Sequence, residues 1–124
     1  MIAADTSSLS AFLKGEKGKD VERLSAAFAA GELVVPAVVL AELLSDPEAG
    51  KSIDAHLPNL LTLEIHDGYW MRAGHTRRLL KMRSYKAKVA DALIAQACID
   101  NDVALISRDA DFRHFAKHCG LKLA

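Results

Sequence analysis

The sequence predicts an α/β fold in which a parallel sheet is covered by helices on both faces. Two patterns carry that prediction. Short apolar runs alternate with stretches of helical period, and the runs are apolar almost without interruption, as strands buried on both faces are. Size agrees. The chain has 124 residues, 51% hydrophobic and 26% charged, which suits one domain spanning residues 1–124 and excludes a disordered or fibrous chain.

Ile2-Ala3-Ala4 reads as a first strand ending at Asp5, with Ser7 or Ser8 placed to cap a helix. Gly15 to Gly18 is a turn. Asp20 to Ala30 sets Val21, Leu24 and Phe28 on one helical face, and Gly31 ends it. Leu33 to Val35 is a second strand, halted by Pro36, which opens a helix running to about Leu44. Pro47 to His56 is helical, and Leu60 to Ile65 alternates as a third strand would. Tyr69–Arg83 and Val89–Asn101 read as helices, and Val103–Ile106 as a fourth strand. The last helix places Phe112, Phe115, Ala116 and Cys119 on one face, and Leu121 to Leu123 is an expected edge strand. Ligands of such sheets sit beyond the carboxyl ends of strands where the strand order reverses. That rule directs attention to Asp5 and Asp109.

Sixteen basic residues balance sixteen acidic ones. A neutral chain does not hold nucleic acid by bulk charge. The balance is uneven along the chain, however. Residues 68–90 contain Arg72, Arg77, Arg78, Lys81, Arg83, Lys86 and Lys88 and no acid, so that +7 here leaves −7 elsewhere. Such a segment suits a polyanion, with Tyr69 and Tyr85 able to stack on bases and Trp70 expected in the core. Cys98 and Cys119 form neither a metal motif nor a disulfide framework and suit a reducing cytoplasm. No signal sequence is expected at the N-terminus. The longest apolar stretch, Leu33–Leu44, is too short to span a bilayer.

Four carboxylates stand out. Asp5 and Asp109 follow strands, whereas Glu42 and Asp91 are the only charges in the apolar runs Val38–Leu44 and Val89–Ile99. Each has a structural role open to it: Asp5 and Asp109 as helix caps, Asp91 as a charge near a helix start, and Glu42 as an acid pointing outward at a crevice edge. Together they would meet in one crevice, where like charges need a cation to remain ionised. An oxygen-only set without Cys or His at ligand spacing selects Mg²⁺ or Mn²⁺, one ion or two. Phosphodiester hydrolysis fits that set, with Ser7 and Ser107 placed to orient water or phosphate. His114 and His118 lie one turn apart but opposite the apolar face, and are expected on an exposed polar surface rather than at a metal.

Asp5-Thr6-Ser7, Glu42 within Val39-Leu40-Ala41-Glu42-Leu43, Asp91 within Ala90-Asp91-Ala92-Leu93, and Ser107-Arg108-Asp109-Ala110-Asp111-Phe112 together resemble the PIN-domain ribonucleases, and among them the VapC toxins of toxin–antitoxin pairs. The resemblance covers essentially the whole chain. It implies a three-layer α/β/α fold with strand order 3-2-1-4-5, and Mg²⁺- or Mn²⁺-dependent endonucleolytic cleavage of RNA. It also implies a homodimer and a cognate antitoxin. Asp5, Glu42 and Asp91 fall on the family's first three acids. The fourth falls on Asp109, with Asp111 as a second candidate, and Ser107 stands where Thr is usual. Two other readings compete: a catalytically silent module of the same fold that binds RNA or protein, and phosphoryl transfer of the receiver or aspartyl-phosphatase kind. The latter lacks its acids, because Thr6 and Ser7 follow Asp5.

Overall fold

A computed structural model describes Met1–Ala124 throughout. Its elements run β1 (Ile2–Ala4), α1 (Thr6–Leu13), α2 (Lys19–Ala29), β2 (Leu33–Val34), α3 (Ala37–Ser45), α4 (Pro47–His56), α5 (Tyr69–Met82), α6 (Val89–Asp100), β3 (Ala104–Ile106) and α7 (Phe112–Cys119). The sheet is parallel, in the order β2-β1-β3. Ile2 stands opposite both Leu33 and Ala104, and Ala4 opposite Ile106. Successive strand residues face opposite sides of a sheet. Ala3, Ala4, Leu33, Val34, Leu105 and Ile106 are nevertheless all buried, so both faces are covered.

The two outer strands expected from the sequence shrink to single bridges. Thr62 pairs with Val35, and Leu123 with Leu105, both in parallel. The inner order is therefore the expected one, while the sheet has three strands instead of five. Val35 donates to the Leu61 carbonyl and accepts from the Leu63 amide. The pairing stops there because Ala37, the next residue that would face this edge, already begins α3. At the other edge Leu105 alone donates to Lys122 and accepts from Ala124.

Asp5 itself caps α1, its carboxylate accepting the Ser8 amide at 3.0 Å. The helix thus begins one residue ahead of the serines expected to cap it. Gly31 at φ +71° follows α2 and Gly120 at φ +83° ends α7, both in the left-handed region where a side chain is strained. Trp70 departs from expectation. It is 65% exposed whereas Tyr69 is buried and donates to the Leu93 carbonyl. Adjacent helical residues point about 100° apart, and Tyr69 has taken the inward direction.

A continuous core runs through the sheet and helices, with Leu9, Leu24, Leu43, Leu80, Phe112 and Phe115 among its fully enclosed side chains. The Phe112 and Phe115 rings lie 5.9 Å apart. Truncation of Phe115 to alanine should cost about 3–5 kcal/mol. In urea the midpoint should fall at unchanged slope, and a change of under about 1 kcal/mol would contradict this packing. Arg72 pairs with Asp100, which also accepts from Gln96, while Thr76 donates to Gln96 at 2.5 Å. This polar network locks α5 onto α6. No helix is long and apolar enough to cross a membrane.

Candidate metal centre

β1 and β3 are neighbours in register, so the residues after Ala4 and Ile106 leave the sheet side by side. Those residues are Asp5 and Ser107, and the Ser107 hydroxyl donates to Asp5 Oδ2 at 2.6 Å. Ser7 donates to both Asp5 oxygens at 2.9 Å. With the Ser8 amide, three donors hold a carboxylate that is 3% exposed. Burial raises the Asp5 pKa above its ordinary value, against the pull of Ser107, Ser8 and Ser7, and Asp109 raises it further.

The β3–α7 loop supplies two more acids. The Asp109 amide donates to Ser107 Oγ, and Asp109 Oδ1 accepts the Asp111 amide, both at 2.9 Å. This double turn aims both carboxylates at the start of α6. There Asp91, Asp109 and Asp111 each offer an oxygen within 4.8 Å of the others. The Asp91 pKa is pushed up to about 6, first by burial and then by Asp109, while Lys88 opposes the rise and Asp111 and Asp5 add to it. Asp5 and Asp91 thus both feel Asp109, which joins the strand-end acid to the trio.

Glu42 sits apart from that trio. It is exposed on α3 and accepts from Thr6 Oγ1 at 2.8 Å, which ties it to the residue next to Asp5. Cys98 lies within the electrostatic influence of Asp5, and burial drives its thiol up to about 12.

The protein's three ion pairs are Arg72–Asp100, Arg108–Asp20 and Lys122–Asp102. None of them neutralises Asp5, Asp91, Asp109 or Asp111. Gathered, partly desolvated, unpaired carboxylates form an oxygen-only donor set that fits a hard divalent cation of the Mg²⁺ or Mn²⁺ kind. Sign and pH follow from Asp91. Between pH 3.8 and about 6 the folded protein keeps a proton that the unfolded chain has released. The ion-free fold therefore loses stability through this group as pH rises across that window. A cation must displace the same proton. Mn²⁺ affinity should accordingly weaken as pH falls through about 6, and a titration showing equal affinity at about pH 5 and about pH 7.5 would refute this coupling.

The basic residues divide. Arg72 is committed to Asp100, and Arg77 donates to the Ala87 carbonyl. Arg78, Lys81, Arg83, Lys86 and Lys88 are exposed. A groove of about 600 Å³ between α5 and α6 is lined by Trp70, Arg78, Lys81, Met82 and Val89 among others, and none of the acids reaches it. Tyr85 is already stacked, its ring 4.1 Å from that of His114 and its hydroxyl 3.3 Å from His118 Nε2. The two histidines are therefore half-buried against a tyrosine and not spread over an exposed face. Sequence reasoning missed Asp20, whose carboxylate holds Arg108 at 2.8 and 3.1 Å. No spacing signal links two positions so far apart in the chain.

A three-stranded parallel core with carboxylates converging beyond the ends of adjacent strands defines a class of α/β proteins built around an acidic centre. The chain belongs to the PIN domain family, whose pattern matches residues 2–118. Comparison with curated proteins finds no match. Among solved structures the fold is similar to VapBC2 from Rickettsia felis, bound in that crystal to a DNA fragment from its promoter, with TM-score 0.78 and 19% identity over 100% of this chain and 98% of that one. It is also similar to FitAcB from Neisseria gonorrhoeae (TM-score 0.71, 16% identity, 99% and 96% covered). A third similar structure is the toxin–antitoxin member VapBC-5 from Mycobacterium tuberculosis (TM-score 0.69, 18% identity, 98% and 95% covered).

Proposed function

We propose that this chain, as a single PIN domain over residues 1–124, is a metal-dependent endoribonuclease and the toxin of a toxin–antitoxin pair. The observation that carries the reading is the set of unpaired carboxylates at Asp5, Asp91, Asp109 and Asp111. Family membership supports hydrolytic nuclease chemistry, and the similar structures from toxin–antitoxin complexes support the biological setting.

Asp5, Asp91 and Asp109 would hold one or two Mg²⁺ or Mn²⁺ ions, with Asp111 or Glu42 completing the set. Bound there, a divalent ion would polarise the phosphoryl oxygens and make water a better nucleophile at neutral pH. The chain's own residues do the positioning. Ser107, Ser7 and the Ser8 amide fix the Asp5 carboxylate, and Ser107 also anchors the Asp109 amide. Lys88, close enough to Asp91 to lower its pKa, would meet phosphate at the rim together with Arg78, Lys81, Arg83 and Lys86. Trp70, Met71 and Met82, each more than half exposed on α5, support burial by protein partners. The partners we assign are a cognate antitoxin and a second copy of the chain, in the cytoplasm.

The test is cleavage of total RNA with Mg²⁺ or Mn²⁺, its arrest by chelator, and mapping of new RNA ends in expressing cells against an Asp91→Asn control. Cleavage that persists in chelator, or in that control, removes the mechanism. RNA binding without cleavage would favour the silent module.

A further inference from the structure

We propose that Asp20 is a positioning residue of the acidic centre. It holds the Arg108 guanidinium away from the carboxylates on either side of the loop, so that a divalent cation and not an internal arginine occupies them. This inference rests on the metal-centre reading above.

Arg108 lies between Ser107, which binds Asp5, and Asp109, which faces Asp91. It is the cation nearest in the chain to an unpaired acidic cluster. A guanidinium is permanently charged and matches a carboxylate with two parallel N–H bonds. Left free, it is the centre's built-in competitor. Instead its Nε and Nη2 both point to Asp20, at 2.8 and 3.1 Å, on a helix 88 positions away in sequence.

The restraint is built into the scaffold. Ser8 is fully buried, and its hydroxyl donates to Asp20 Oδ2 at 2.9 Å while its amide donates to Asp5. One residue thereby sets Asp20 and Asp5 relative to each other. The ring closes from Asp5 through Ser8, Asp20 and Arg108 back to Ser107 and Asp5. Gly18 leaves room for it, since a Cβ there would lie 2.5 Å from Asp20 Oδ1 and 3.2 Å from Arg108 Nη2. The pair is part-buried, the Arg108 side chain 34% and the Asp20 side chain 15% exposed, and it fixes the direction in which the Arg108 side chain leaves the loop.

A cycle of variants separates restraint of a competitor from plain structural support, with Mn²⁺ affinity of the purified full chain as the readout. Asp20→Ala should weaken Mn²⁺ binding about tenfold, and Asp20→Asn, which keeps oxygen and shape, by less. Arg108→Ala should bind at least as tightly as the unaltered chain. Asp20→Ala combined with Arg108→Ala should recover affinity to within about twofold. A structural clamp would fail equally from either side. The proposal is overturned if Arg108→Ala weakens binding as Asp20→Ala does, if the double variant stays weak, or if neither Asp20 variant changes affinity. Circular dichroism checks folding, and Asp20→Asn carries the test should the alanine variant unfold. Absence of Mn²⁺ binding in the unaltered chain would instead remove the metal-centre reading, and this inference with it.

Discussion

Asp91→Asn should lower RNA cleavage by about three orders of magnitude while making the ion-free protein more stable. Both effects come from one feature. Asp91 is the only charge between Val89 and Ile99 of α6 and lies against Asp109 and Asp111, and its pKa, pushed up to about 6, reflects how poorly the bare fold tolerates that charge. An amide of the same shape removes the repulsion and most of the desolvation. For this half-buried group, solvent screening limits the gain to about 1 kcal/mol, or a few degrees in Tm. The amide also removes an anionic oxygen from the donor set, so Mn²⁺ should no longer raise Tm. Cleavage assays and thermal melts with and without Mn²⁺ check the two signs independently. A variant that is both less stable and still active would contradict the whole electrostatic account.

Asp5 gives the second large effect, and two substitutions divide it. Asp5 is a ligand candidate and also the cap of α1. Asparagine caps a helix about as well as aspartate. Asp5→Asn should therefore abolish cleavage at unchanged or slightly raised stability, because the buried charge is gone. Asp5→Ala should abolish cleavage too, but sit about 1–2 kcal/mol below the asparagine variant. It leaves the Ser8 amide and the Ser107 hydroxyl without their acceptor. Equal stability of the two variants in urea would show that the cap contributes nothing.

Much of this was legible in the sequence because the relevant signals are local. Apolar runs ended by Asp5 and Pro36 mark strands and their limits, and lone acids in Val38–Leu44 and Val89–Ile99 stand out against apolar surroundings. What the sequence hides depends on contacts between distant segments. Leu60–Ile65 alternates as a strand should, yet only Thr62 pairs, with Val35, and a single bridge forms. Trp70 and Tyr69 compete for one inward direction, and composition does not say which takes it. The tight grouping of Asp111 with Asp91 and Asp109 arises from an amide turn of two residues, which no periodicity encodes. Asp20 reads as an ordinary first-turn acid of α2, and its contact with Arg108 is a product of tertiary packing.

The pairing of Ala4 with Ile106 joins segments separated by almost the full length of the chain. Helices can form early from their own neighbourhoods, whereas this match requires the ends of the polypeptide to meet, which is slow for contacts so remote. Enzymatic competence on refolding should thus trail the recovery of helical signal. A ribosome-bound chain would lack an assembled acidic centre until its last third had emerged, an interval in which a binding partner can already be waiting.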